Sequence, residues 1–252
     1  MSKVYFVSGG SRGIGFGIVK NLSATPSNIV IATARNPDSA TGLKELAKVR
    51  PNVKIVALDV ADDESVKAAA KDAERISPLG IDVLISNAGI ATEAKPVLEC
   101  SDSAYMHHFN VNTIGPIRLL REFRDLLEKK STKQIVMVSS EAGSITNLLT
   151  FFPTSAYGMS KVSLNFAVRL LDHELGPAGY SIIALHPGVV LTDAMTSAQK
   201  DMDPETVAFL AKNMTLLSPD ESASCIVNNV LDKLDTSASG KFLSYDGSEL
   251  AW

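Results

Sequence analysis

Short β-branched or apolar runs recur along the chain, at Val4 to Ser8, Ile29 to Thr33, Lys54 to Leu58, Val83 to Ser86, Ile135 to Ser139, Ser181 to Leu185 and Lys241 to Ser244. Between them the apolar positions repeat with helical period, over Gly13 to Leu22, Gly42 to Val49, Asp63 to Ile76, Ser103 to Lys129, Ser155 to Leu175 and Pro219 to Leu234. Alternation of this kind requires right-handed crossovers, which build a parallel sheet covered on both faces. The expected fold is α/β: one domain over residues 1–252, Rossmann-like and doubly wound, with a seven-stranded parallel sheet flanked by helices.

Helix ends are marked chemically. Ser218-Pro219-Asp220-Glu221 sets a capping-box serine and glutamate around a proline at the first helical position. Asp62 is placed to cap the helix from Glu64 to Arg75, and Gly176-Pro177 stops the helix that carries Tyr157, Ser155 to Leu175. The long stretch from Thr192 to Leu217 carries no strand pattern. It reads as a helical, polar insertion over the sheet edge, a candidate lid on a substrate site.

Composition narrows the class. A chain of 252 residues with 45% hydrophobic content can bury one large core. A net charge of −4 argues against nucleic acid as partner, since phosphate binding needs a clustered basic surplus. Met1 to Val7 enters a strand-like run at once, so no signal segment is expected, and no apolar run reaches the roughly 18 residues of a membrane span. The expectation is a cytoplasmic protein acting on a small molecule. Cys100 and Cys225 are too few for a disulfide framework, and His107, His108, His173 and His186 form no metal-binding spacing, so no metal is expected.

The turn Ser8-Gly9-Gly10-Ser11-Arg12-Gly13-Ile14-Gly15 lies between the first strand and the first helix. Glycines there let backbone approach a pyrophosphate, and the helix start offers N–H groups and a favourable dipole. The spacing is G-x-x-x-G-x-G, weak alone but in the right place. At the end of the second strand, Ile31-Ala32-Thr33-Ala34-Arg35-Asn36 carries no acid to bind ribose hydroxyls and repel a 2′-phosphate. Arg35, with Arg12 from the turn, offers that phosphate a guanidinium instead, and the expected cofactor is NADP(H).

Tyr157 and Lys161 stand one helical turn apart, with Ser140 upstream at a strand end. Hydride delivery to a carbonyl develops charge on oxygen, which needs a proton donor. A phenol with an ordinary pKa of about 10 is a poor one, and the ammonium of Lys161 is placed to lower it. Alone, the pair is a common helix-surface feature; beside the glycine turn it points to carbonyl reduction.

At this point the chain resembles the short-chain dehydrogenase/reductase family, from about Lys3 to Ser244. The resemblance rests on the glycine turn, Tyr157-Gly158-Met159-Ser160-Lys161, and Asn87-Ala88-Gly89 after the fourth strand, which it implies supports the sheet and lines the cofactor. It implies that Asp59-Val60 contacts the adenine and that Asn112 anchors a water in a proton relay through Lys161. It also implies that Pro187-Gly188-Val189-Val190-Leu191-Thr192 closes over the nicotinamide, with Thr192 near the carboxamide, and it favours Ser140 over Ser139 as the catalytic serine. Dimers or tetramers, often through the two long helices, are a family habit. Ser8 stands where the family usually has threonine, and the stretch from Ser140 to Tyr157 is longer than in many members. Its Ile145, Leu148, Leu149, Phe151 and Phe152 either wall an apolar substrate pocket or pack against a neighbour. With Leu243-Ser244-Tyr245-Asp246, the chain is similar to fungal carbonyl or diketone reductases of the benzil type. The same residues would serve NADP-dependent alcohol or polyol oxidation, and a non-catalytic NADP(H) sensor or scaffold would keep the fold without turnover.

Overall fold

The structure, a computed structural model, describes residues 2–150, 153–192 and 215–252. Its elements run β1 (Val4–Val7), α1 (Gly13–Leu22), β2 (Ile29–Ala34), α2 (Thr41–Val49), β3 (Val53–Ala57), α3 (Asp63–Ile76), β4 (Val83–Ser86), α4 (Asp102–Phe109), α5 (Gly115–Glu128), β5 (Gln134–Val138), α6 (Ser155–Leu175), β6 (Ser181–His186), β7 (Val189–Val190), β8 (Leu216–Leu217), α7 (Pro219–Cys225) and β9 (Phe242–Ser244). A seven-stranded sheet has the order β3-β2-β1-β4-β5-β6-β9, and every neighbouring pair is parallel. The doubly wound fold is as expected. The chain reverses its winding direction between β1 and β4, which opens a crevice at the carboxyl ends of those strands.

Burial explains the apolar runs. Strands β1, β4, β5 and β6 are buried along their whole length, because helices cover both faces. Alternate residues feed two cores. Phe6, Ile31, Leu84 and Met137 point to one side with Leu119, Phe123, Leu164 and Val168. Val7, Val30, Ile85 and Val136 point to the other with Ile18, Val19, Leu43 and Ile226. Phe6 and Phe123 meet with ring centroids 4.3 Å apart, and each fully buried ring contributes on the order of 2 kcal/mol.

The caps form as their residues require. The Asp62 carboxylate accepts from the Glu64 N–H at 2.9 Å, and Ser218 and Glu221 complete a reciprocal capping box. Two helices differ from expectation. The run expected over Ser103 to Lys129 spans Asp102 to Glu128 but is interrupted by a π-helical turn at Asn110–Ile114, where the Gly115 N–H bonds back five residues to the Asn110 carbonyl. Pro116 has no N–H, so the Asn112 carbonyl lacks its α-helical partner, and a wider turn accommodates that break. The last helix ends at Cys225 and passes into a second π turn, Ile226–Leu231, short of the expected Leu234.

The stretch expected to lack strands ends in one: β8 pairs in parallel with β7, Val189 opposite Leu216 and Val190 opposite Leu217. The rest of that stretch, residues 193–214, and with it the expected lid, lies outside the described residues, as do Phe151 and Phe152. Among the described residues no helix is long and apolar enough to cross a membrane.

Candidate active site

The glycine turn opens directly off β1. Gly9 and Gly13 hold φ of +69° and +56°, a region that side-chain-bearing residues rarely adopt. A Cβ on Gly15 would overlap the Gly9 carbonyl oxygen and the Asn87 amide nitrogen. Ser11 and Ile14 are half-buried in the same turn, and Arg12, exposed, begins α1 without a side-chain cap on the helix N–H groups. Those N–H groups, with a cradle that any Cβ would fill, fit a dinucleotide pyrophosphate. Thr33 closes the turn from β2: its hydroxyl accepts from the Gly9 N–H at 3.1 Å and its carbonyl from the Gly10 N–H at 2.8 Å.

Ser8 does more than preserve a hydroxyl. Fully buried, its Oγ accepts from the N–H groups of Asn87 and Ala88 at 2.9 and 3.0 Å. The Asn87 amide answers by donating to the carbonyls of Ser8 and Gly9 at 3.0 and 3.1 Å. The ends of β1 and β4 are thus latched together across the switch point. Gly89 follows where a Cβ would stand 3.1 Å from Asn112 Oδ1 and 3.8 Å from Lys161 Nζ, so the loop passes close beside the lysine.

At the edge of the crevice, Arg35 is exposed immediately after β2, with no acid until Asp38. Asp59 and Val60 follow β3; the Asp59 carboxylate accepts from the Ala61 N–H at 2.9 Å, and Val60 is buried against Gly115. On the far side, the Pro187 carbonyl accepts from Ser222 Oγ at 2.6 Å and Gly188 turns at φ +84°. Val190 pairs in β7, and the Thr192 methyl comes 3.5 Å from where a Cβ on Gly13 would stand. Thr192 therefore overhangs the glycine turn.

The chemistry gathers between β5 and α6. Ser139 is spent structurally, its Oγ donating to Asn165 Oδ1 at 2.6 Å. Ser140 is the serine beside the Tyr157 phenol. Gly143 lets this turn pack on Lys161, whose backbone a Cβ would meet at 2.7 Å. The Lys161 side chain is 5% exposed and its Nζ donates to the Val138 carbonyl at 2.8 Å, 5.8 Å from the centre of the Tyr157 ring. Burial pulls its pKa down to about 8.

Burial also pushes the Tyr157 phenol above its ordinary value, and the Ser140 hydroxyl pulls back only in part. The net shift runs opposite to the lowering expected from Lys161. The ammonium is aimed at a carbonyl rather than at the phenol, and loss of water outweighs the opposing Ser140 hydroxyl.

Asn112 sits in the π turn, completely buried. Its Oδ1 accepts from the Ile90 N–H, and its Nδ2 donates to the Ile90 carbonyl and to Ser160 Oγ, at 2.9, 2.9 and 3.0 Å. Ser160 Oγ in turn donates to the Tyr157 carbonyl at 2.6 Å, so Asn112 joins the loop after β4 to the helix of Tyr157 and Lys161. Next to Ser140, the Glu141 N–H donates to His186 Nδ1 at 3.2 Å. The Glu141 carboxylate lies 3.9 Å from His186 Nε2, but burial holds that histidine near pKa 4, so the contact is not an ion pair at neutral pH. Of the expected pocket wall, Ile145 and Leu148 are exposed and Leu149 is half-buried.

Sequence reading gave no role to Ser160, Thr33 or His186, and none to Ser8 beyond its hydroxyl. Only Ser8 and Ser160 lie inside recognisable motifs; the others are found through their partners. Among the described residues no group of His, Cys, Asp and Glu is placed to hold a metal ion.

A doubly wound parallel sheet with a glycine cradle at its switch point, and serine, tyrosine and lysine gathered beside it, defines a dinucleotide-binding oxidoreductase. The family model for short chain dehydrogenases matches residues 3–203, and the chain belongs to that family. An uncharacterized oxidoreductase of Schizosaccharomyces pombe is 41% identical over 251 residues, covering 98% of this chain and 97% of the relative. Among solved structures, the NADPH-bound carbonyl reductase from chicken fatty liver is 33% identical with a TM-score of 0.87, over 100% of this chain and 99% of its own. The carbonyl reductase Sniffer of D. melanogaster is 29% identical with a TM-score of 0.86, over 100% of both chains.

Proposed function

We propose that the protein is a single-domain, NADPH-dependent reductase of ketones, diketones or aldehydes. The carrying observation is a half-buried phenol, raised in pKa, beside the Ser140 hydroxyl at the end of β5, with the buried Lys161 ammonium 5.8 Å from the centre of its ring. A raised phenol keeps its proton at neutral pH, the form a reduction requires. Bound NADPH would supply the hydride. Tyr157 gives its proton to the developing alkoxide, Ser140 hydrogen-bonds the same oxygen, and Lys161 holds the nicotinamide ribose and returns a proton toward the phenol. Asn112 fixes the loop and helix between which that relay runs. Gly9 to Gly15 with the start of α1 hold the pyrophosphate, Arg35 and Arg12 the 2′-phosphate, Asp59 and Val60 the adenine, and Asn87 to Gly89 with Pro187 to Thr192 the nicotinamide half. Support for NADPH comes from the acid-free end of β2 and from the similarity to an NADPH-bound carbonyl reductase.

The test is turnover of a carbonyl panel that includes benzil, with each reduced cofactor. Activity is expected with NADPH over NADH, and Tyr157→Phe is expected to lower kcat roughly a hundred- to ten-thousandfold, the range for general acid catalysis. Arg35→Ala should raise KM for NADPH and leave that for NADH unchanged. NADPH binding without turnover of any carbonyl would reject the reading. We also propose a homodimer or homotetramer built through α4 and α6, where Met106, Phe109, Met159, Phe166 and Leu170 are exposed; sedimentation velocity checks it, and a monomer would reject it.

A further inference from the structure

The helical run that carries Asn112 brings a second buried polar side chain to the same loop. His108, in the last turn of α4, is 0% exposed. Its Nε2 accepts from the Thr92 N–H at 3.2 Å, and its Nδ1 lies 2.8 Å from the Ala104 carbonyl oxygen. Because Nε2 accepts, the ring proton sits on Nδ1 and is donated to Ala104, which defines one neutral tautomer. The histidine and Asn112 thus grip the loop at Thr92 and Ile90 respectively.

That loop has little else to hold it. Residues 87–96 belong to no helix or strand. Within 91–94, the bond from Thr92 to His108 is the hydrogen bond that reaches another element, among the described residues. Glu93 sits at φ +52°, a conformation a glutamate adopts only under constraint from its surroundings. The loop starts at the Asn87–Gly89 latch and passes on to Lys95, whose carbonyl accepts from Ser155 Oγ at 2.7 Å, two residues before Tyr157. A shift of this loop would move the latch and the approach to Tyr157 together.

We infer that His108 is a positioning residue of the reaction, holding the Ile90–Lys95 loop against the site by accepting the Thr92 N–H. Protonation would break the hold, since an imidazolium presents a donor to a donor. Burial keeps the ring neutral to below its ordinary pKa. The Ala104 carbonyl opposes that, the charges of His107 and Lys161 reinforce it, and Glu93 from the loop itself opposes it. The loop is therefore released only in acid.

The test compares His108→Leu with His108→Gln, whose side-chain oxygen can still accept from Thr92. In His108→Leu, KM for the carbonyl substrate is expected to rise roughly tenfold with kcat nearly unchanged, as the loss of one buried hydrogen bond implies. Hydrogen exchange at the Thr92 amide should accelerate in the same variant. His108→Gln should restore both and abolish the rise of KM in acid that release of the loop gives the wild type. The kinetic arm rests on the reductase reading, whereas the exchange arm needs no turnover, so the two can fail separately. If His108→Leu does not fold, loss of protection of the wild-type Thr92 amide in acid, measured against its intrinsic exchange rate, beyond that of neighbouring sheet amides and absent from His108→Gln, carries the test. Wild-type KM and exchange in His108→Leu, or lost stability with both unchanged, would reduce His108 to a core residue and overturn the inference.

Discussion

Tyr157, half-buried, and Lys161, buried, share a helix face and a change in proton affinity, but the changes run in opposite directions. Burial raises the phenol and lowers the ammonium to about 8. Each is thereby biased toward its uncharged form. For the tyrosine this secures the proton that the proposed reduction draws on; for the lysine it brings loss of charge into the accessible pH range. Reductase kcat/KM is accordingly expected to fall as pH rises through about 8, where Lys161 loses its proton, rather than near its ordinary 10.5. Lys161→Arg, which stays protonated throughout, should lose this limb and run at a lower rate. A profile flat to pH 10 in the wild type would contradict the reading. The residues proposed for catalysis were legible in the sequence because motif spacing places them on one helix and one strand end. Their proton affinities were not, since these depend on water excluded by elements distant in sequence.

At the scale of elements, apolar runs reveal strands well here because a sheet covered on both faces buries nearly every residue of its central strands. The π turn at Asn110–Ile114 was invisible to the same reading, since one wider turn barely disturbs a periodicity averaged over the whole helical run. The paired stubs β7 and β8 were missed because two residues are too few to show a pattern. Glycines look alike in sequence and differ in role. Gly15 packs where a Cβ would strike the Gly9 carbonyl, whereas Gly42 in α2 has only ordinary contact with Phe16 at 3.7 Å. Gly15→Ala is therefore expected to abolish cofactor binding or folding, read by NADPH fluorescence titration and thermal unfolding. Gly42→Ala should bind normally and gain roughly 0.5–1 kcal/mol, as an alanine in a helix does. Equal behaviour of the two would mean that backbone approach at the turn is not what the glycine serves.

For the whole molecule, the cost of burying basic groups falls on stability and gives it a definite dependence on pH. His186 has a folded-state pKa of about 4 against an ordinary 6.5, so between these values the unfolded chain binds the proton that the folded chain refuses. Stability from this residue is fully present above pH 6.5 and is lost as pH falls through 4. A shift of this size corresponds to roughly 3 kcal/mol at the acid end, using about 1.4 kcal/mol per pKa unit. Lys161 acts with the same sign in another window: its burial cost is present below about 8 and is relieved as pH rises toward 10.5. His186 can be separated from the rest because its Nδ1 serves as an acceptor for the Glu141 N–H, a role an asparagine oxygen can take over. His186→Asn should therefore fold, and its urea-derived stability should fall less than the wild type's between pH 7 and 4.5, by on the order of 2 kcal/mol. His108, also lowered by burial, would account for a residual slope in the variant. Parallel losses in wild type and His186→Asn would show that carboxylates govern the acid limb. The turn that carries Ser140 would then owe nothing of its acid sensitivity to the imidazole beneath it.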